Sequence, residues 1–321
     1  MHVHIQNRPQ DSFLPLTPAI VEQALAGNGY RFTIADDDAG FAAAARTMDV
    51  LVSTADQILG RFPCPAPNLR VVFLKHVGVE ELVAHNPLPG DVMLLNNSGA
   101  HDRKAGEYVL MAALMLQNGM PVYAGQQTAR IWRPQFSGTL AGRHVTVLGV
   151  GGLGSAAART LRPHGVVLTG VRARPEPHSD FDRIVPASAF DDVLVETDIL
   201  VLAAPLTAAT AGILDGRRLC LLPRHAGIIN IARGELVDEA AMVTALREGT
   251  IAGAVLDVTV TEPLPKDDPL WSAPNLVITP HVSATDTGSF AQETLRILLA
   301  NLDDIEAGRK PRNLVDLRRG Y

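Results

Sequence analysis

Val145-Thr146-Val147-Leu148-Gly149-Val150-Gly151-Gly152-Leu153-Gly154 is the stretch that decides how this chain is read. Val145 to Leu148 is a short apolar run with the character of a buried strand. Ser155 to Leu161 is rich in alanine and reads as a helix, ended near Pro163-His164-Gly165. Strand, spaced glycines and helix together make the context of a dinucleotide-binding turn. Gly149 allows the tight turn, Gly151 lets a pyrophosphate approach the backbone, and Gly154 lets helix and strand pack closely. Gly152 and Leu153 complete the loop. The free N–H groups and positive dipole end of the helix favour an anion there.

The composition is consistent with that reading. A chain of 321 residues suits two domains, and 47% hydrophobic with 19% charged residues lets it bury large cores. A net charge of −6 speaks against a nucleic-acid surface. Cys64 and Cys220 supply neither a disulfide framework nor a CxxC metal pattern, which points to a reducing, cytoplasmic setting. Met1-His2-Val3-His4-Ile5 lacks the basic and long apolar parts of a signal peptide. No apolar run reaches the roughly 18 residues needed to cross a bilayer, so no membrane partner is expected. His2 and His4 are expected to flank a first strand, and no metal site is expected.

The first hundred residues alternate strand-like runs (31–35, 50–53, 70–74, 92–95) with helix-like ones (18–26, 41–46, 79–85). Such alternation implies a parallel sheet covered by helices. The loop Lys75-His76-Val77-Gly78 follows one of these strands, at the end where open α/β sheets bind ligands. Lys104 to Leu116 reads as a long helix containing Glu107. Residues 118–142 then look irregular, with Trp132, Arg133, Pro134 and Phe136. A segment of this length without structure of its own is usually a lid, an arm or a partner contact. Beyond Gly165, strand-like runs recur at 166–171, 198–203, 227–231, 252–256 and 276–279. With Val145–Leu148 they make six, the count of a doubly wound dinucleotide fold. Asp238 is placed to cap, and Gly249 to close, a helix between two of them. Phe290 to Ala307 reads as a last helix, before a basic tail ending at Tyr321.

Ligands in this fold bind outside the carboxyl ends of the strands, so the residues just past each strand carry the functional information. The second strand of this half is followed by Arg172-Ala173-Arg174, roughly 20 residues beyond the first glycine, where an NAD site would carry an acid on the ribose. Guanidinium groups there suit a 2′-phosphate, which favours NADP(H) and leaves NAD(H) open as a second cofactor. Glu176 is the nearest acid, set apart by Pro175. The later strands are followed by Ala204-Pro205-Leu206-Thr207 with Thr210, by Ile231-Ala232-Arg233-Gly234, by Asp257-Val258 with Glu262, and by Pro280-His281-Val282-Ser283. An arginine, two acids and a histidine thus collect at one edge of the sheet. Hydride transfer to a carbonyl beside a carboxylate wants this set. A histidine titrates near neutrality and serves as proton donor to the nascent alkoxide. A carboxylate on its other nitrogen orients it. An arginine holds the substrate carboxylate through two parallel hydrogen bonds. His281, Glu262 and Arg233 fit these roles. Pro205, Thr210, Ile231, Ala232, Asp257 and Ser283 line the cofactor side with the glycine loop.

Over nearly its whole length the sequence resembles the D-isomer-specific 2-hydroxyacid dehydrogenases. The match is carried by Gly149 to Gly154, Ala204-Pro205-Leu206-Thr207, Asn230-Ile231-Ala232-Arg233-Gly234-Glu235-Leu236-Val237-Asp238, Leu256-Asp257-Val258, Glu262-Pro263-Leu264-Pro265 and Thr279-Pro280-His281. The resemblance implies Arg233 as substrate clamp, Glu262 as partner of the histidine, His281 as proton donor, and Asp257 facing the nicotinamide. It implies that the backbone of Val77 and Gly78 touches the substrate carboxylate. It implies an α/β chain of two Rossmann-like, doubly wound parallel-sheet domains with an active-site cleft between them. Residues 1–99 and 287–321 would form a flavodoxin-like substrate domain, and residues 100–286 the dinucleotide-binding domain. It further implies a homodimer built on the arm at 118–142, with Trp132 or Phe136 reaching the partner's site. The arginines at 172 and 174 resemble the NADPH-dependent glyoxylate and hydroxypyruvate reductase branch.

Three features depart from the family pattern. His76 stands where glycine is usual, Thr259-Val260-Thr261 replaces aromatic and acidic residues, and 88–102 matches poorly. They bear on which small 2-ketoacid or 2-hydroxyacid is the substrate. Two other readings stay open on the residues alone. One is a nucleotide-sensing corepressor-like binding protein, which would share fold and motifs. The other is a relative oxidising phosphite, which would use the same Arg, Glu and His.

Overall fold

Val50-Leu51-Val52 and Val71-Val72-Phe73-Leu74 are continuous apolar runs, the pattern of strands covered on both faces. The computed structural model describes residues 1–8, 16–25, 27–85 and 87–317. Among these, β1 (His2–Gln6), β2 (Arg31–Ala35), β3 (Val50–Ser53), β4 (Val71–Leu74) and β5 (Met93–Leu95) pair in parallel as a five-stranded sheet, in the order β2-β1-β3-β4-β5. This is the flavodoxin-like order. One face packs Val3, Ile5, Val52 and Phe73 against Leu295, Leu298 and Leu302 of helix Phe290–Glu306. Thr294 of that helix meets the Asn97 amide at 2.8 Å. The chain after the helix returns to this sheet, where Leu314 bridges Leu95 antiparallel and Val315 N–H donates to Leu94 O at 2.9 Å. These ties place residues 286–321 with residues 1–100 in one compact unit, while residues 101–285 form a second.

The second unit is built on a parallel seven-stranded sheet of described residues: β6 (His144–Leu148), β7 (Val167–Arg172), β8 (Arg183–Pro186), β9 (Ile199–Leu202), β10 (Gly227–Asn230), β11 (Gly253–Leu256) and β12 (Leu276–Ile278). Their order is β12-β11-β10-β9-β6-β7-β8. Alternate residues feed two cores. Leu200, Leu202, Ile228 and Leu256 pack on Phe190, Met242 and Leu246 on one side. Val145, Val147, Val201, Ile229 and Val255 pack on Val109, Ala112, Ala157 and Leu161 on the other.

The six strands expected of this sheet become seven. The addition, β8, is four residues long, starts at Arg183 and ends at Pro186. It is an edge strand with too few apolar positions to show periodicity, and proline is tolerated at such an edge. The segment 118–142, expected to be irregular, contains helix Met120–Ala129. Gly119 starts it in the left-handed region at φ 65°, and Pro121 in the first turn presets the backbone. Its mixed polar sequence carries no helical stripe, which hid it. Beyond it, Trp132 is 98% and Phe136 97% exposed. His2 and His4 lie inside β1 rather than beside it. Ala26, expected to end the first helix, and the basic tail from residue 318 lie outside the described residues. Among the described residues no helix is long and apolar enough to cross a membrane, and no group of three His, Cys, Asp or Glu side chains is placed to hold a metal ion.

Candidate active site

Strand register brings the functional loops of the second unit together. Leu148 pairs with Leu202 and Val171, Leu202 with Asn230, Asn230 with Leu256, and Leu256 with Ile278. The strands therefore end level, and the residues just past them emerge side by side at one edge of the sheet. Between β6 and β9 the strand order reverses, the place where such folds bind nucleotides.

Each glycine of the loop at that point has its own steric reason. Gly149 has φ +101°, and a Cβ there would come within 2.5 Å of the Ala204 backbone nitrogen. A Cβ on Gly154 would run into the carbonyl oxygen of Gly149. Gly151 is different: nothing lies within 4 Å of the place a Cβ would take, and the residue is exposed at the start of helix Gly152–Leu161. The first-turn N–H groups of that helix have no intrahelical acceptor. Open space over unpaired donors fits a pyrophosphate. Gly152 is exposed there and Leu153 half-buried. Arg172 is the half-buried last residue of β7, and Arg174 is exposed just beyond. Thr210 shapes the neighbouring loop from within. Its hydroxyl donates to the carbonyl of Pro205 at 2.7 Å and accepts from Thr207 N–H at 2.8 Å.

Arg233 follows β10 in extended backbone, φ −145° and ψ 145°, and is half-buried. Asn230, buried at the strand end, holds this turn by accepting from Ala232 N–H at 3.0 Å and donating to Arg233 O at 2.9 Å. Ile231 and Ala232 are buried beneath it. Gly234 allows the next residues to lie against the chain after β11, since a Cβ there would strike the backbone of Thr259 and Val260. That contact seats the Arg233 loop beside the segment leading to Glu262.

Glu262 and His281 meet directly. Nδ1 of His281 lies 2.8 Å from Oε2 of Glu262, and Oε1 of Glu262 accepts from Thr259 N–H at 3.1 Å. His281 sits at φ 54°, a left-handed conformation that a residue with a side chain rarely adopts. Its N–H is shared between Asp257 O at 2.8 Å and Thr279 O at 3.1 Å. Such backbone costs about 1–3 kcal/mol. The pair is 51% and 38% exposed, and an exposed ion pair contributes only about 0–1 kcal/mol, so stability does not account for it.

Asp257 fixes the turn that carries His281. It is 1% exposed, and its carboxylate accepts from Val282 N–H at 2.9 Å, Ser283 N–H at 2.8 Å and the Thr279 hydroxyl at 2.5 Å. Because Thr279 donates to the carboxylate, it accepts from the Tyr108 hydroxyl, 2.6 Å away. Burial pushes the Tyr108 phenol up to about 12, so it is a donor at neutral pH. The sequence motifs include Asn230 and Thr279 without giving them a role, and they do not include Tyr108. Asn230 had a signal, as a polar residue closing an apolar run. Tyr108, 171 residues from Thr279, had none.

Val77 and Gly78 belong to the first unit, half-buried in the loop after β4. Their carbonyls are taken up, Val77 O by the Asn96 amide at 3.2 Å and Gly78 O by the His76 ring at 2.8 Å. Among the described residues, neither of their N–H groups has a protein acceptor.

Residues 110–283 match the family described as D-isomer specific 2-hydroxyacid dehydrogenase, NAD binding domain. The chain is 32% identical over 260 residues to a glyoxylate/hydroxypyruvate reductase A of Yersinia enterocolitica, covering 79% of this chain and 82% of that one. A D-isomer specific 2-hydroxyacid dehydrogenase from Xanthobacter autotrophicus, crystallised with NADPH and MES, superimposes with TM-score 0.86 at 31% identity over 99% of both chains. An NADPH-dependent glyoxylate/hydroxypyruvate reductase from Sinorhizobium meliloti, in complex with NADP and sulfate, does so with TM-score 0.80 at 28% identity over 100% of this chain and 99% of that one. A nucleotide loop at the switch point, an arginine loop and a Glu–His pair at one sheet edge agree with these likenesses, and the chain belongs to the D-isomer-specific 2-hydroxyacid dehydrogenase family of oxidoreductases.

Proposed function

We propose that this enzyme reduces a small 2-ketoacid, of the glyoxylate or hydroxypyruvate class, with NADPH. The observation that carries the reading is the 2.8 Å contact between His281 and Glu262, at the sheet edge shared by Arg233 and the glycine loop. When bound, the cofactor supplies the hydride. The glycine loop holds its pyrophosphate, and Arg172 with Arg174 takes the ribose 2′-phosphate through charge-assisted bonds. Arg233 grips the substrate carboxylate with its planar fork and polarises the carbonyl. In the first unit, the N–H groups of Val77 and Gly78 suit a carboxylate of the substrate. The Glu262 carboxylate accepts a hydrogen bond from Nδ1–H of His281, so the doubly protonated ring gives its Nε2 proton to the alkoxide oxygen and is left neutral with Nδ1–H.

The exposed Trp132 and Phe136, and a groove of 760 Å³ lined by Met111, Leu114, Met120 and Tyr123, support a twofold dimer built on this arm. No membrane-crossing helix among the described residues and two free cysteines support a cytoplasmic setting. Initial rates over a panel of 2-ketoacids, each with NADPH and with NADH, test the reading. Turnover of glyoxylate or hydroxypyruvate with NADPH is expected. Tight NADPH binding without turnover of any ketoacid would overturn it in favour of a nucleotide-sensing role.

A further inference from the structure

His76 opens the loop after β4, and its ring is held at both nitrogens. The N–H of Ala55 donates to Nε2 at 3.0 Å, so that nitrogen bears no proton. Nδ1 then carries it and donates to Gly78 O at 2.8 Å. Ala55 starts helix Ala55–Leu59, whose N-cap residue Thr54 makes no side-chain capping bond. One imidazole therefore ties that helix start to a loop 21 residues further along the chain. The loop is fastened elsewhere as well. Lys75 N–H donates to Ser53 O at 2.9 Å, and His76 O accepts from Asn97 N–H at 3.1 Å. With the carbonyls of residues 76, 77 and 78 all engaged, the N–H groups of Val77 and Gly78 are left for a ligand.

We propose that His76 is a positioning residue for this loop: its neutral, Nδ1-protonated ring sets the direction of the Val77 and Gly78 N–H groups toward the substrate carboxylate. The inference rests on the reading of that loop given above. Glycine leaves such a turn to its own conformational freedom, whereas the ring clamps it from the helix start to Gly78 O.

His76→Gly removes the ring and both of its contacts, and its thermal midpoint checks that it stays folded. It should raise KM for glyoxylate roughly five- to thirtyfold, the effect of losing one or two hydrogen bonds, with kcat and NADPH affinity little changed. His76→Asn, whose amide can take the place of Nδ1, should recover most of that loss. A second readout does not depend on turnover. In the NADP complex, the backbone amide signals of Val77 and Gly78 should shift on titration with oxalate, and His76→Gly should weaken oxalate binding by the same factor. Wild-type KM and oxalate affinity in His76→Gly overturn the proposal. Amide signals that ignore oxalate overturn it too, together with the loop's part in the reading above. Normal kinetics in Arg233→Lys beside an intact amide response would remove Arg233 from that reading and leave the role of His76 standing.

Discussion

Nδ1 of His281 and Oε2 of Glu262 stand 2.8 Å apart, with His281 in left-handed backbone that Asp257 holds through its own carbonyl and through the N–H groups of Val282 and Ser283. The pair is an aligned donor and acceptor, and the alignment is imposed by a buried residue behind it. General acid catalysis is typically worth about 10²–10⁴-fold, so His281→Ala should lose about that much in kcat while still binding NADPH. Glu262→Gln keeps the shape but removes the negative charge beside the ring that must carry protons on both nitrogens to donate one. It should lose at least about tenfold in kcat with a smaller change in KM. Steady-state kinetics and cofactor titration check both. Wild-type kcat in Glu262→Gln would show that the carboxylate is not needed.

Arg233→Lys keeps the charge and removes the planar fork. Substrate KM should rise and kcat should fall, together costing roughly ten- to a hundredfold in kcat/KM, the loss of a charge-assisted bond, with NADPH affinity kept. If kcat/KM for glyoxylate is unchanged, the clamp lies elsewhere.

Arg172→Ala should weaken NADPH binding by roughly ten- to a hundredfold, for the same physical reason, and leave NADH binding near its starting value. Fluorescence titration of each cofactor decides this. An equal loss with both would mean that Arg172 acts on the fold, not on the 2′-phosphate.

The arm should hold two copies together. Light scattering at micromolar concentration is expected to give twice the 34.3 kDa chain mass, and Trp132→Ser with Phe136→Ser should shift it toward the monomer. A fully active wild-type monomer would remove the dimer.

Acid should weaken the first unit through β1. The Gln6 amide donates to Asp37 O, so its oxygen accepts from Nε2 of His4. Nδ1 of His4 then accepts from Thr33, Thr33 from Nε2 of His2, and Nδ1 of His2 from Thr47. This chain works with both rings neutral. Burial holds both imidazoles below the ordinary value of 6.5. The unfolded chain takes up protons near that value and the folded one only at lower pH. The stability is thus complete above 6.5 and is lost as pH falls below it. The thermal midpoint should drop from about pH 7 to about pH 5, and less steeply in His4→Asn. A wild-type midpoint flat across that range contradicts the arrangement.

Sequence alone determined what is local or periodic. The apolar runs, the glycine spacing and the residues just past each strand pointed to parallel sheets, a nucleotide loop and the Arg233, Glu262 and His281 set. The reason is physical: strand period and turn sterics act over a few residues, and in a parallel sheet each strand's last residue announces which residue emerges at the ligand edge. What crosses long stretches of chain was decided only by the tertiary structure. β8 forms because an edge strand needs one neighbour rather than a strong pattern of its own. Helix Met120–Ala129 lacks an apolar stripe. Tyr108 reaches Thr279, and the His76 ring reaches Ala55, through side-chain directions that no spacing rule encodes. The level strand ends that place Glu262 beside His281 are likewise a matter of register, set by packing on both faces of the sheet at once.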